Sequence, residues 1–441
     1  MIRTFLFILL INSYTLAQVD MIHSSKVSDQ ALYFAGEKGI DYHFNSRITP
    51  HGDCIKVAFG YIYVTWYRGG MDNRHVMLSR KKIGEEKWHH IEFPHQHTGY
   101  RGNPKKGDSH NTIAIGISPL DSTIHLIYDM HAYSETQYGV DFFNYSLSKT
   151  GAAVAEDEDW TIDLFNRKRN YLKKDQDYDK ATYPNFSLAD DGKLFVFWRL
   201  GGSGNGNHSY AYYDQNGWSE TIQFNNGNQT TVSEKYSIYG SFAHYNNRLM
   251  TGFAIRYRDF PNEKYTYNSG LYFASSIDPT GASQWQTLQG KPVTLPIQSP
   301  QALKIGSPLE LVNRNYMSSG ATWVVTPNES YHFLSTVNDT TIHYYKSSGE
   351  KSIRFDIGSP KGKLFSIGHK VYLMGLNDIG QPFLLSTPEG KNEWREEYSY
   401  EGDLKFRHGN STIHENRIYY YLMQNDQGDA QPIHVLEFIV N

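Results

Sequence analysis

One unit of strand, tight turn and aromatic-rich strand recurs along the chain, and this recurrence constrains the fold more than any other feature. Its copies occupy residues 51–70, 110–131, 183–202, 239–256, 321–338, 364–377 and 408–424. Further strand-like pieces lie between the copies, and the sequence shows no helix-period stretch of useful length. Four strands per repeat and seven repeats predict an all-β, seven-bladed β-propeller that forms a single domain.

The second copy shows most clearly how such a unit could carry chemistry. Alternating apolar residues run through 113–117 and again through 124–128, with a turn between them. His110 precedes the first strand and His131 follows the second, so a hairpin brings both to the same end of the sheet. Two imidazoles there suit proton transfer, although two polar residues that simply terminate strands are the plainer interpretation.

The propeller topology extends this argument to neighbouring blades. The innermost strands line the central channel, so the starts of the first strands and the ends of the second strands meet at one face. Residues from three consecutive copies are therefore expected around one pocket: His110, His131, Tyr183, Arg199, Tyr239 and Arg256.

These side chains favour one kind of reaction. Without a pair of carboxylates the set is a poor glycosidase site. It suits β-elimination on a uronic acid, in which the proton next to the carboxylate is removed and the sugar oxygen at C4 is expelled. Arg199 can clamp the carboxylate, His110 and Tyr183 can act as acid and base in either order, and His131 can orient or share the proton.

Three motifs carry a resemblance to a known family. Asp-Ser-His-Asn-Thr-Ile-Ala-Ile-Gly-Ile at 108–117, Thr-Tyr-Pro-Asn-Phe at 182–186 and Phe-Trp-Arg-Leu-Gly-Gly-Ser-Gly-Asn-Gly at 197–206 resemble the seven-bladed propeller ulvan lyases. Polysaccharide lyase family 25 matches first, with family 24 as a cousin, and the resemblance covers nearly the whole mature chain. It implies endolytic cleavage of ulvan, the sulfated rhamnose–uronate polymer of green algae, and leaves an unsaturated uronate at the new non-reducing end.

The resemblance also assigns roles to individual residues. It implies that His110 and Tyr183 are the catalytic pair, that His131 is the second active-site histidine and that Arg199 neutralises the carboxylate. We expect the substrate-binding set to consist of Asn111, Tyr239 and Arg256, with Tyr245 as a nearby alternative to Tyr239. No cofactor is expected to be required for catalysis.

Charge limits the partners that the chain can attract. The formal net charge is -4, so no global basic field favours nucleic acid or anionic membranes, and an anionic sulfated polysaccharide must be held by local Arg and Lys. A basic run at 167–174 is either a solvated surface or the wall of a polyanion groove.

Two other functions stay open: a non-catalytic carbohydrate-binding propeller, and a lyase for another uronate polymer. We expect a monomer.

The two ends of the mature chain lead to further expectations. Residues 1–17 fit a cleavable signal peptide, so residues 18–441 would form the propeller of a secreted or periplasmic protein. The N-terminal segment is expected to complete the last blade.

Cys54 is the only cysteine, so no internal disulfide can form. A structural zinc held by His51, Cys54 and His408, with Asp53 beside them, is one interpretation, and a buried free cysteine is the plainer one.

Overall fold

The chain folds into seven antiparallel sheets arranged as the blades of a β-propeller, which confirms the predicted fold class. The computed structural model describes residues 19–33, 46–70, 72–133, 135–139, 142–228, 235–257, 268–306, 322–337, 340–347 and 353–441. The predicted signal peptide, residues 1–17, lies outside the described residues. None of the described helices is long and apolar enough to cross a membrane.

The first three blades follow one another along the chain. Blade one consists of β2 (Ile55–Ala58), β3 (Tyr61–Tyr67), β4 (His75–Lys82) and β5 (His89–Gln96). Blade two consists of β6 (Ile113–Ile117), β7 (Ile124–Tyr128) and β8 (Tyr145–Leu147). Blade three consists of β9 (Ala181–Leu188), β10 (Leu194–Leu200), β11 (Asn207–Asp214), β12 (Gly217–Trp218) and β13 (Ile222–Gln223).

The remaining blades complete the ring. Blade four consists of β14 (Tyr236–Tyr245), β15 (Arg248–Tyr257), β16 (Ser269–Ser276), β17 (Trp285–Thr287), β18 (Pro292–Val293) and β19 (Lys304–Gly306). Blade five consists of β20 (Thr322–Val325), β21 (Tyr331–Val337), β22 (Thr340–Lys346) and β23 (Ile353–Asp356). Blade six consists of β24 (Gly362–Ile367), β25 (Lys370–Leu376), β26 (Pro382–Pro388) and β27 (Arg395–Ser399). Blade seven consists of β28 (Phe406–His414), β29 (Arg417–Gln424), β30 (Ala430–Val440) and β1 (Val19–Leu32).

The connections contain little helix. One α-helical turn, α1, spans Glu135–Tyr138, and short 3-10 helices span Ala152–Val154, Ile162–Leu164 and Pro300–Leu303. In each blade the two strands nearest the channel correspond to one copy of the repeat. The recurring unit is therefore the inner hairpin of a blade, and this places the ends of the hairpins around the channel.

The hydrophobic core is divided into layers between adjacent blades rather than gathered in one centre. One cluster joins blades one and two through residues such as Tyr63 and Ile115, and another joins blades two and three through residues such as Ile127 and Trp198. All five residues of β6 and all five of β7 are buried, because both faces of an inner strand pack against a neighbouring blade. This double burial fixes the inner hairpins that carry the candidate site.

The N-terminal strand closes the ring, as predicted. β1 pairs with β30 and forms the outer edge of blade seven, whereas the sequence pattern indicates an outer strand only around residues 31–34. Blade seven is fastened to blade one by an ion pair of 2.7 Å between Lys81 Nζ and Glu437 Oε1, both of which are buried. Closing the ring packs the faces of blades seven and one together and leaves only the short sheet edges that a propeller keeps.

The charged insert at 155–180 covers the outer edge of blade two. Isolated bridges join Phe165 to Ser148 and Arg169 to Tyr145, next to β8. The insert thus pairs with the outermost strand of a three-stranded sheet, at the opposite edge from the channel-lining β6. Arg167 is exposed there, and Asn170, Tyr171 and Lys174 line a second cavity, so both a solvated surface and the wall of a polyanion groove stay open for the basic run.

Candidate active site

A cavity of about 500 Å³ lies where the inner strands of blades two, three and four end. Five predicted site residues line it: His110, Tyr183, Arg199, Tyr239 and Arg256. His51, Asp53, His208 and Asn268 line it as well. The convergence that the topology predicted is therefore present, and it brings imidazole, phenol and guanidinium groups to one place.

A buried carboxylate joins the two predicted histidines. Asp108 is 0% exposed. Its Oδ1 lies 3.0 Å from Nδ1 of His110, and its Oδ2 lies 2.6 Å from Nδ1 of His131. The two imidazole rings are 4.5 Å apart between centroids. His131 is absent from the cavity lining and lies behind His110, linked to it through this carboxylate.

The electrostatics of this group keep Asp108 charged. Burial by itself raises the pKa of Asp108, but hydrogen bonds from His110 and His131 outweigh it and hold the pKa well below its usual range. Burial lowers the pKa of His131 despite the opposing effect of Asp108, so this imidazole is neutral near pH 7. An ionised carboxylate only accepts hydrogen bonds, so each histidine donates through Nδ1–H and, when neutral, carries no proton on Nε2.

Tyr183 reaches the cavity through an irregularity in β9. The pairing of β9 with β10 shifts register between Phe197 and Arg199, and Tyr183 has a φ of 56°, a left-handed conformation that a bulky residue rarely adopts. Such a bulge re-aims a side chain, at a cost of about 1–3 kcal/mol. The Tyr183 ring lies 5.7 Å from the His110 ring and 5.6 Å from the His131 ring. Burial raises the pKa of its phenol, so the hydroxyl stays protonated.

Two guanidinium groups flank Tyr239 on the other side of the cavity. Arg199 is 4% exposed and donates from Nη1 to the Tyr239 hydroxyl at 2.9 Å. Arg256 lies 4.2 Å from the centre of the Tyr239 ring and donates to Ser203 Oγ at 2.8 Å and to Asn268 Oδ1 at 2.9 Å. The Arg199 guanidinium also lies 4.7 Å from the centre of the Tyr183 ring.

The charge of Arg199 is not neutralised by the protein. Among the described residues, its contacts are with tyrosines and not with a carboxylate, and its buried Nε has no hydrogen-bond partner. A buried cation without a counter-ion is costly. The arrangement is therefore built to receive an anionic group from outside.

Besides His131, two predicted residues lie outside the cavity lining. Asn111 is 1% exposed, and its side chain donates from Nδ2 to the backbone carbonyl of Gly99 at 3.2 Å. Tyr245, the alternative to Tyr239, donates its hydroxyl to the carbonyl of Thr326 at 2.7 Å in the next blade. The structure thus places Tyr239 at the cavity, whereas Asn111 holds the loop that precedes β6.

Sequence reasoning missed several polar residues of the site. Asp108 stands in the quoted Asp-Ser-His motif, but its bond to His131 depends on the hairpin and no sequence spacing reveals it. Ser203 bridges Tyr239 and Arg256, and it follows the Gly-Gly pair that marks the end of the repeat. His208 lines the cavity with its Nδ1 buried and unpaired, and burial lowers its pKa to about 3.

The suggested zinc set is not assembled. Cys54 packs in an apolar cluster with residues such as Val27 and Tyr421, and His408 bonds through Nε2 to the carbonyl of Thr49 at 2.8 Å. Within the described part of the chain, three metal-competent side chains come within ligand distance of one another only at Asp108, His110 and His131. There both Nδ1 atoms already bond the carboxylate, so that group acts as a hydrogen-bonded set.

Comparison with known proteins agrees with this fold. A family model described as "BNR repeat-containing family member" matches residues 61–354. The short isoform of ulvan lyase from Alteromonas sp. (strain LOR) is 32% identical over 472 residues, which cover 93% of this chain and 88% of the relative. The long isoform from the same organism is 33% identical over 95% of this chain but only 47% of its own length, so this chain spans about half of it.

Solved structures show the same architecture. The crystal structure of the polysaccharide lyase Uly1 has a TM-score of 0.88 and 31% identity, and the match covers 96% of this chain and 99% of that one. An ulvan lyase of family 25, which the motifs placed first, has a TM-score of 0.66, 12% identity and 95% coverage of both chains, which shows the fold alone. The chain belongs to the BNR repeat-containing family and to the family of the ulvan lyases.

Proposed function

We propose that this chain is a polysaccharide lyase that cleaves ulvan by β-elimination at the uronic acid. The observation that carries the proposal is the unneutralised Arg199, which faces the cavity together with His110 and Tyr183. Relatives of this chain are named ulvan lyase, which supplies the substrate that the cavity alone does not specify.

Arg199 receives the uronate carboxylate. Neutralising this charge makes the proton at C5 removable, because the developing enolate is then stabilised by the guanidinium. Nε of Arg199 is a buried donor without a partner, and Tyr239 fixes the orientation of the group through Nη1. The planar fork of an arginine suits a carboxylate better than the point charge of a lysine.

In this proposal His110 is the base and Tyr183 is the acid. Neutral His110 carries its proton on Nδ1, towards Asp108, so Nε2 can accept the C5 proton. Tyr183 keeps its hydroxyl proton because burial raises its pKa, so it can donate to the leaving oxygen at C4. The C5–H electron pair becomes the C4=C5 double bond as the C4–O bond breaks, and the product ends in an unsaturated uronate.

His131 assists rather than reacts. It shares Asp108 with His110, and its ring lies between the carboxylate and the Tyr183 ring. We assign the cavity-facing Tyr239 and Arg256 to substrate binding, where Arg256 offers a second cation for an anionic group of the polymer. The reaction so written needs no metal, since Arg199 supplies the positive charge at the carboxylate.

A non-catalytic carbohydrate-binding propeller is the alternative from another class. A binding module needs no convergence of base, acid and carboxylate clamp, and here His110, Tyr183 and Arg199 line one cavity. The strained backbone of Tyr183 also favours catalysis, because strain of this kind concentrates at functional sites.

The test is the absorbance of the conjugated product. Purified protein is mixed with ulvan and, separately, with unsulfated polyuronates, and the ultraviolet absorbance of the unsaturated uronate is followed. We expect a rise with ulvan only. A rise with an unsulfated polyuronate alone would show that this polymer, and not ulvan, is the substrate. No rise with any polymer would overturn the proposal.

Residues 1–17 and the state of assembly complete the proposal. The apolar leader supports export, and the chain would act outside the cytoplasm as a monomer. N-terminal sequencing of the exported protein should begin after Ala17, and light scattering should give the mass of one chain.

A further inference from the structure

We infer that Asp108 is a positioning residue that sets the protonation pattern of both active-site imidazoles at once. The effect of Asp108 on catalysis rests on the proposed function, whereas its effect on the positions of the imidazole protons rests on the observed hydrogen bonds. Each carboxylate oxygen takes one ring: Oδ1 bonds His110 and Oδ2 bonds His131. Neither oxygen is exposed to solvent.

The backbone around Asp108 holds the carboxylate in place. The backbone N–H of Gly99 donates to Nδ1 of His97, so the other ring nitrogen of His97 carries the proton and donates to the carbonyl of Asp108 at 3.0 Å. The backbone N–H of His110 donates to Asp108 Oδ1 at 3.0 Å and closes a local turn. Because these hydrogen bonds fix the carboxylate, its two oxygens determine the orientation of both imidazole rings.

An amide at this position would break the symmetry of the arrangement. The carboxylate accepts a hydrogen bond from each ring and one from the backbone N–H of His110, whereas an asparagine offers one acceptor oxygen and one donor NH₂. One imidazole would therefore turn its Nδ1 into an acceptor and carry its proton on Nε2. At His110 this change blocks the Nε2 that accepts the C5 proton, and at His131 it reverses the hydrogen bond by which that ring assists the base.

The charge of Asp108 also acts on the titration of the pair. Among the described residues, the charged and titratable groups that face the two rings include Arg199 beside His131, His51 beside His110, and the phenol of Tyr183. Asp108 is the anion that raises the pKa of His131 against burial. Removing its charge therefore lowers the pKa of His131 further.

The experiment compares Asp108→Asn with a matched control. Asp157, in the 155–180 insert, also pairs with a histidine, with Oδ2 3.1 Å from Nε2 of His89 on the outer strand of blade one, and its Oδ1 pairs with the buried Arg80 at 2.7 Å, far from the two active-site rings. We expect Asp108→Asn to lower kcat by roughly 100-fold or more, in line with the loss seen when a tautomer-holding carboxylate becomes an amide in serine hydrolases. The acid limb of the pH–rate profile should move to lower pH. Asp157→Asn should keep the wild-type kcat and profile.

A second measurement does not depend on substrate. Nitrogen-15 NMR of labelled histidine should show protons on Nδ1 of both His110 and His131 at neutral pH, with signals assigned from spectra of the His110→Asn and His131→Asn variants. Asp108→Asn should move at least one proton to Nε2. A wild-type Nε2–H tautomer at either ring, or an unchanged pattern in Asp108→Asn, would overturn the inference. A wild-type enzyme that shows the expected tautomers but does not cleave ulvan would instead overturn the proposed function.

Discussion

The ends of the inner hairpins in blades one and three carry nearly the same residues but have different surroundings. In blade one, Trp66 is followed by Arg68 and a Gly-Gly pair, and in blade three, Trp198 is followed by Arg199 and a Gly-Gly pair. The Arg68 side chain is 44% exposed and its Nη1 lies 2.6 Å from Oε2 of Glu92. Arg199 is 4% exposed and faces two tyrosines.

The difference has two causes, the position of each arginine relative to its tryptophan, which directs the side chain to one face of the strand or the other, and the groups that the neighbouring blades supply. Arg68 has its counter-ion on β5 of its own blade, so its charge is already satisfied near solvent. Arg199 finds Tyr239 on blade four and shares the cavity with His110 from blade two. A shift of one position along the strand and a different set of neighbours thus give a surface ion pair at Arg68 and a receptor for an anion at Arg199.

The largest effect is expected from removing the groups that move protons in the cavity between blades two, three and four. His110→Asn and Tyr183→Phe should each abolish formation of unsaturated product, because one lacks the base and the other lacks the proton for the leaving oxygen. Tyr245→Phe is the matched control, since it loses only a bond to the carbonyl of Thr326 and should keep full turnover. Near-normal turnover in either site variant would remove that residue from the reaction. Circular dichroism would verify the fold of each variant.

Lysine substitutions test the two arginines directly. Arg199→Lys should lower kcat/KM by about 100-fold or more, because a point charge replaces the planar fork that meets a carboxylate. Arg68→Lys should leave kcat/KM within about twofold, since an exposed ion pair contributes little. Equal effects in the two variants, measured by the initial rate of absorbance increase on ulvan, would contradict the difference drawn between the blades.

The pH dependence should reflect the pocket and not blade one. Activity should fall in acid as His131 is protonated, and this fall should lie below the usual pKa of a histidine because burial lowers the pKa of His131. On the alkaline side, the raised pKa of Tyr183 keeps its proton in place up to about pH 10. The profile of kcat/KM for Arg68→Lys should overlay that of the wild type. Activity that falls between about pH 8 and 9 in the wild type, but not in a Tyr183 variant that keeps measurable activity, would contradict the assignment of Tyr183 as the acid.

The smallest effect is expected at the start of blade one. Cys54→Ala and treatment with EDTA should both leave ulvan cleavage unchanged, because Cys54 packs among apolar side chains and lies outside the reaction. Cys54→Ala should lower the free energy of unfolding by about 1 kcal/mol through lost packing. Metal analysis of protein purified without chelator checks the same point. Stoichiometric zinc that is absent from Cys54→Ala would contradict this description of blade one.

The sequence predicted the architecture well because the inner hairpins repeat. Their recurrence determined the number of blades and the meeting of three hairpin ends at one cavity. It did not reveal that residues 165–169 pair with β8, because this charged segment lacks the alternating pattern of a strand. The length of β1 was also underestimated, since its polar residues face solvent at the outer edge of blade seven.

The site was predicted in part for the same reason. Topology brings together residues at hairpin ends, such as His110 and Tyr183, but it says little about loops. Asp108 was missed because its second bond, to His131, comes from the far end of the hairpin. The zinc set failed because proximity in sequence does not give side-chain direction: Asp53 bonds Lys56 while the adjacent Cys54 turns into the apolar layer.

The central claim, that the pocket performs an elimination and not a hydrolysis, is tested most directly by the fate of water. Ulvan is digested with the protein in water enriched in oxygen-18, and the oligosaccharides are analysed by mass spectrometry. β-Elimination adds no water, so the fragments should carry no oxygen-18 and their new non-reducing ends should be lighter by one water than those of a hydrolytic product. Fragments that contain one oxygen-18 atom at the cleaved bond and no double bond would contradict the account.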